Sequence, residues 1–197
     1  MIGERWSLLI VRELMLGPRR YTDLLDGLPG IPTNVLAARL KDLHAAGLLT
    51  KRALPPPTVV TVYQLTEAGQ ALGPTLDALR GWGGHYGPPV SETDSTRPAW
   101  VLLSASSRPT TAPVGRVCQL RVGSEYFQLR VDHNGLAVHG GLAETPDAVI
   151  TLDAETLYLL MAGHATIAHP RITIDGDHNT ARGFLNSIHG ALAAHPT

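Results

Sequence analysis

The stretch IPTNVLAARLKDLHAAGLLTKRALPPPTVVTVYQLT, residues 31–66, decides the reading of this chain. It divides into a helix over 33–46 that stops at a glycine and two strands over 48–65 around a proline-rich tip. Leu36, Leu40 and Leu43 follow the i, i+4, i+7 spacing of one helix face. Gly47 stands where a left-handed C-terminal cap is needed. The opposite face keeps Thr33, Asn34, Ala37, Ala38 and Lys41, all small or hydrogen-bonding apart from the lysine's longer stem, and the first strand ends in Lys51 and Arg52. A helix held down by leucines, with a compact polar outer face and a basic hairpin behind it, suits a DNA major groove. Pro55-Pro56-Pro57 at the hairpin tip would stiffen the wing and block edge pairing more simply than it would serve as a polyproline ligand.

Outward from this unit, Glu4 to Leu16 is expected to be a helix with Trp6, Leu9, Ile10 and Leu14 on one face, ended by Gly17-Pro18. A short helix over Thr22–Gly27 follows, and Leu28-Pro29-Gly30 turns the chain into the 33–46 helix. Thr66 is expected to cap a further helix through Leu72, Leu76 and Leu79 to about Trp82, with a kink at Pro74. The composition then changes. Residues 88–98 read as a linker rich in Pro, Ser, Thr and charge, separating a first domain over 1–87 from a second over 99–197.

Beyond the linker the period becomes two. Cys118, Leu120 and Val122 alternate with Gln119 and Arg121, and Phe127, Leu129 and Val131 alternate with Gln128 and Arg130. Gly123-Ser124 and Asn134-Gly135 mark hairpin turns. A strand at Ala148–Leu152 leads into a helix capped by Asp153 and closed by Gly163, and Ile172–Ile174 is a last strand before a helix opened by Asp177. The fold class is α+β throughout, and the second half carries a mostly antiparallel sheet with helices on one face.

Composition narrows the function classes. A hydrophobic fraction of 44% supports a core, and 17% charged residues is too few for a disordered chain. The single cysteine, Cys118, excludes an intramolecular disulfide and fits a reducing cytoplasm. No apolar run approaches the roughly 18 residues of a membrane span. The net charge of −1 hides an asymmetry: residues 1–90 hold nine Lys/Arg against seven Asp/Glu, and the remainder seven against ten. Arg19, Arg20, Arg39, Lys41, Lys51 and Arg52 gather around the reading unit, and placement matters more than the total.

Several pieces in order carry a family resemblance: G-x-R-W at Gly3 to Trp6, G-P-x-R-[FY]-x-[DE]-L at Gly17 to Leu24, R-L-K-x-L at Arg39 to Leu43, A-G-L at Ala46 to Leu48, and Y-x-L-T-x-x-G at Tyr63 to Gly69. Over roughly residues 2–82 the chain resembles the HxlR-type winged helix-turn-helix regulators, relatives of the MarR-like repressors. The resemblance implies a homodimeric transcription regulator binding double-stranded operator DNA. Thr33, Asn34, Ala38 and Lys41 would then face bases or nearby phosphates, and Arg39 would reach DNA from the flank. Arg19, Arg20, Lys51 and Arg52 would contact phosphates, which set affinity and register, whereas base edges specify sequence. Members usually carry a further segment, with a sensing cysteine, before the G-x-R-W opening. Here the chain begins at Met1-Ile2, so that segment is expected to be absent or lost through a late assigned start, which leaves the dimer interface open. Pro32 takes the place of a common Ser cap, so Thr33 is expected to cap the helix.

Roughly residues 100–194 are similar to type 2 sterol-carrier-protein-like domains, on P-D-x-x-[IL]-[TS]-x-[DS] at Pro146 to Asp153 and I-x-[IV]-x-G-D at Ile172 to Asp177. The resemblance implies a cavity for a hydrophobic small molecule, walled by Leu120, Phe127, Leu129, Leu157, Leu160, Met161 and Ile167. A closed core has the same composition, so both readings stay open. Seven of the nine histidines lie beyond residue 130, but none forms an H-x3-H pair or has a cysteine nearby, so no metal is expected. Asp175-Gly176-Asp177 lacks the later ligands of a calcium loop. No nucleophile elbow or phosphate loop is present, and neither an enzyme nor a cofactor is expected. The expectation is a cytoplasmic, homodimeric DNA-binding regulator modulated by a hydrophobic molecule. The alternative is a hydrophobic-ligand carrier whose winged helix serves as a protein-interaction module.

Overall fold

The computed structural model describes residues 2–53, 60–87, 97–106, 110–132 and 135–192. The chain divides into two compact units, Met1–Gly83 and Gly84–Thr197, each with its own core. The wing tip at Pro55–Pro57 and residues 88–96 of the expected linker lie outside the described residues. None of the described helices is long and apolar enough to cross a membrane.

The first unit runs α1 (Ser7–Met15), α2 (Tyr21–Gly27), α3 (Thr33–Ala45), β1 (Leu49–Ala53), β2 (Thr61–Leu65), α4 (Glu67–Gln70) and most of α5 (Gly73–Tyr86). Ile10, Val11 and Leu14 of α1 meet Leu24, Leu36, Leu40 and Leu43 in one buried cluster closed by Leu49 and Leu65. Burying each such leucine contributes about 2 kcal/mol, so the 36/40/43 stripe fixes which face of α3 remains outside. The helix α1 begins at Ser7, not Glu4. Residues ahead of it form a turn in which Ser7 N–H donates to Glu4 O, and Trp6 at the N-cap offers no capping acceptor.

Three features differ from the sequence expectation at helix ends. Pro32, with φ −67° and ψ 142°, is the N-cap of α3, so Thr33 is its first helical residue and no side chain caps it. The fixed proline φ sets up the entry, and its carbonyl accepts from Val35 and Leu36 N–H. The single helix expected over 66–82 is two. One turn, α4, ends at Gln70, and α5 restarts at Gly73 and continues to Tyr86. Pro74 is not a kink; it occupies the first turn of α5, where its missing N–H needs no partner.

The turn after α3 has its left-handed residue at Gly47, φ 71°, with Leu48 N–H donating back to Leu43 O. Thr66 joins this turn to the next helix: its hydroxyl donates to Gly47 O at 2.6 Å and accepts from Gly69 N–H at 3.2 Å. Gly69 lets α4 sit against the start of the wing. A Cβ there would lie 2.1 Å from Leu48 O.

The second unit runs α6 (Pro98–Leu103), β3 (Val117–Val122), β4 (Glu125–Asp132), β5 (Gly135–Gly140), β6 (Ala148–Leu152), α7 (Ala154–Met161), β7 (Thr173–Gly176) and α8 (His178–Ile188). The sheet order is β5-β4-β3-β6-β7, with only the β3–β6 pair parallel. Cys118, Leu120, Phe127, Leu129, Val138 and Ile150 fill the covered face beneath α6, α7 and α8. Asp153 and Asp177 cap α7 and α8 as expected, accepting from Thr156 N–H and from Asn179 and Thr180 N–H. Both carboxyls are held below the usual range, mainly by the hydrogen bonds they accept. The last strand lies at Thr173–Gly176, slightly later than the expected Ile172–Ile174. The helix α6 replaces the end of the expected linker, because Pro98 opens a helix there.

The connection from β5 to β6 crosses the outer face of the sheet, and Gln119 holds it. Its carboxamide donates to Phe127 O at 2.9 Å and Gly141 O at 3.3 Å and accepts from Ala143 N–H at 2.6 Å. Gln119 is buried on the face that alternation assigns to solvent.

Candidate nucleic-acid interface

With leucines at 36, 40 and 43 turned inward, the outer side of α3 is fixed. At about 100° per residue, Asn34, Ala37, Ala38 and Lys41 fall within an arc of about 100°. All four are exposed, as is Thr33 at the helix start. Tyr21 steadies that end, its hydroxyl donating to Thr33 O at 2.6 Å. Sequence reasoning missed Tyr21 as a site residue; twelve residues before Thr33, it stood out only as the aromatic of the G-P-x-R-[FY] piece.

Beside α3 the wing gains a third strand segment. Arg19 N–H donates to Tyr63 O at 2.9 Å, and Tyr63 N–H donates to Arg19 O at 2.7 Å. Lys51 pairs with Tyr63 on the other side, and its ammonium stands 5.9 Å from the ring centroid. Directly opposed residues share a sheet face, so Arg19, Tyr63 and Lys51 form one row with a cation at each end. Arg52 is exposed on the alternate face, opposite Val62. Arg20 is exposed at the start of α2, where its backbone N–H donates to Asp23.

Arg39 stands apart from this group. It lies about 160° around α3 from Lys41 at helical spacing. Its guanidinium donates to Asp42 at 2.8 Å and sits 4.0 Å from Glu4. These three side chains, with Ala45 and Ala46, line a shallow surface concavity. The structure thus brings together Thr33, Asn34, Ala38 and Lys41, places Arg19, Lys51 and Arg52 on the wing, and turns Arg39 toward carboxylates.

In the second unit Leu120, Phe127, Leu129, Leu157, Leu160 and Met161 are buried where the sheet meets its helices, while Ile167 is half-buried. Leu120 and Phe127 are directly paired across β3 and β4. Phe184 and Ile188 of α8 join the same sheet-to-helix layer. Their helical spacing was visible in the sequence, as was the placing of helices on one sheet face, but the expected cavity wall did not include them. Cys118 is fully buried in this layer, and burial pushes its thiol up to about 12.

Comparison with known proteins gives this geometry a family. Residues 1–91 match the HxlR-like helix-turn-helix family, and residues 101–187 match the SCP-2 sterol transfer family. The HTH-type transcriptional regulator YodB of Bacillus subtilis is 34% identical over 89 residues, which are 45% of this chain and 80% of YodB. An uncharacterized HTH-type transcriptional regulator of Synechocystis is 38% identical over 88 residues, 44% of this chain and 64% of its own length. Among solved structures, the reduced form of YodB from B. subtilis aligns at 33% identity with a TM-score of 0.42, covering 46% of this chain and 88% of that one. On the matched motifs and the identity to YodB, the chain belongs to the HxlR-like helix-turn-helix family, with an SCP-2-like region following it.

Proposed function

We propose that the protein is a cytoplasmic, homodimeric transcription regulator. Residues 1–87 bind operator DNA, residues 88–98 link, and residues 99–197 sense a hydrophobic small molecule or stabilise the dimer. The helix α3 enters the major groove with Thr33, Asn34, Ala38 and Lys41, and Arg19, Arg20, Lys51 and Arg52 meet phosphates. The exposed Asn34–Lys41 arc, followed along the chain by the exposed wing cations Lys51 and Arg52, carries this reading, because it offers hydrogen-bonding groups and positive charge within one unit. Arg39 joins the phosphate contacts only by leaving Asp42. The ligand acts by population shift: a molecule preferring the non-binding state lowers DNA affinity by its differential affinity for the two states.

Binding to the native upstream region, measured by fluorescence anisotropy across a salt series, tests the DNA reading. Replacing Lys41 or Lys51 by Ala is expected to weaken binding and reduce the salt slope by about 1 each. Weak, salt-independent binding that ignores both changes would refute it and favour a hydrophobic-ligand carrier, a class supported by the SCP-2 match.

A further inference from the structure

We infer that α3 reads an A·T-containing step, with an adenine at Asn34 and a thymine methyl against Ala37 and Ala38. The inference rests on the proposed groove placement of α3 and adds the base identity. Among the described residues, no hydrogen bond engages the Asn34 carboxamide and no carboxylate pairs with Lys41, so both stay available to a ligand. The carboxamide offers one acceptor and two donors on a short stem. That matches adenine, whose major-groove edge pairs an N7 acceptor with an N6 donor, and no other base edge meets both needs of one amide so well.

The neighbouring positions sharpen the choice. Ala37 and Ala38 lie three and four residues on, about 4.5–6 Å along the helix axis at 1.5 Å per residue. With base pairs spaced about 3.4 Å, that places their methyl groups one to two steps from the Asn34 contact. A bare methyl surface has no polar group to satisfy, and its favoured partner is the thymine C5-methyl. Lys41 is about 10.5 Å beyond Asn34, so the whole arc spans about three base pairs. Both alanines are exposed, so their small size is not imposed by packing within this unit. It lets the helix approach the groove floor closely.

The test uses the full chain and duplexes selected from a randomised pool, with affinity read by anisotropy at fixed salt. Exchanging the selected A·T pair for G·C should weaken wild-type binding about tenfold or more. Asn34→Ala should bind both duplexes within about twofold, with its melting curve unchanged because alanine suits an exposed first turn. Replacing the neighbouring thymine by uracil removes one methyl and should cost wild type about fourfold. That arm needs no protein variant. Salt-dependent binding in which Asn34→Ala keeps the A·T preference, or in which uracil is neutral at every thymine, overturns this inference and leaves the DNA reading standing. No salt-dependent binding to any duplex overturns both.

Discussion

Replacing Gly69 by alanine isolates the contact that seats α4 on the wing. An added Cβ meets Leu48 O at 2.1 Å, Leu48 C at 3.1 Å and Leu65 Cδ2 at 3.0 Å. The leucine side chain can turn away, but the carbonyl cannot move freely, since Leu48 O accepts from Thr66 N–H at 3.1 Å. Relief requires that carbonyl to shift by about 1 Å, with the Thr66 bond lost. Overpacking of this kind costs about 1–3 kcal/mol and the broken hydrogen bond about 1 kcal/mol more. Alanine's better helix propensity returns about 1 kcal/mol. The net expectation is a loss of about 1–3 kcal/mol, a substantial share of the 5–15 kcal/mol of a typical domain. Gly81→Ala is the matched control: it lies within α5, and nothing stands within 4 Å of its Cβ position. The same chemical change there should stabilise by up to about 1 kcal/mol. Urea denaturation of the full chain gives the stabilities, and hydrogen exchange over α3 to α4 assigns the change to the first unit. A Gly69→Ala protein within about 0.5 kcal/mol of wild type would refute the contact argument.

Thr66→Val keeps the side-chain shape but removes the bonds to Gly47 O and Gly69 N–H, and should cost about 1–2 kcal/mol in urea denaturation of the first unit. Gln119→Leu strands the buried partners at Phe127, Gly141 and Ala143; a loss of about 2–4 kcal/mol is expected, with faster amide exchange over 141–147 in the second unit. Cys118 has its thiol pushed up to about 12, so it should react with a thiol reagent only at the global unfolding rate, and diamide should leave DNA affinity unchanged. The sign for stability follows: the folded thiol stays protonated where the unfolded one ionises, so stability present below the unfolded thiol pKa falls as pH rises toward 12. Asp153 and Asp177 have the opposite sign. Their stabilisation is present above the usual carboxylate range and is lost as pH falls through their lowered values, which an acid titration followed by circular dichroism would record.

Periodicity made the reading helix legible because burial and exposure there are governed by one face: Leu36, Leu40 and Leu43 leave Asn34, Ala37, Ala38 and Lys41 outside. The same holds for the caps at Gly47, Asp153 and Asp177, where one residue type satisfies a local need. The reading failed where a local signal has two outcomes. Pro74 fits a kink or a first turn, and Pro98 a linker or a first turn; both turned out to be helix starts. Gln119 was placed on the correct face, but its burial was not foreseen. Alternation assigns it outward, and it does point outward, but a loop twenty-two to twenty-four residues later covers it. No local pattern reports a long-range crossing of that kind. Arg39 shows this limit in part: its charge suggested DNA, Asp42 three residues on in α3 was a local partner that reading passed over, and only Glu4 reaches the guanidinium from another part of the unit.

That internal pairing changes what the modest charge of the first unit means. Nine cations stand against seven carboxylates over residues 1–90, a surplus too small to suggest a polyanion as partner. The carboxylates are not spread evenly against the cations. Asp42 and Glu4 face Arg39, Glu13 lies 3.5 Å from Arg12, and Asp77 lies 3.9 Å from Arg80. The exposed pairs among these, Arg39 with Asp42 and Arg80 with Asp77, add little stability, at most about 1 kcal/mol each. Their larger effect is to cancel the field on the faces where they sit. Among the described residues no carboxylate lies within ion-pair distance of Lys41, Lys51 or Arg52, which occupy the outer side of α3 and the wing. With a Debye length of about 8 Å at physiological salt, a phosphate responds to the charges near it, not to the chain's sum. Net charge is therefore the wrong measure for this protein. Pairing engages Arg12, Arg39 and Arg80, whereas Lys41, Lys51 and Arg52 keep their charge for an outside anion, as the proposed DNA contact requires.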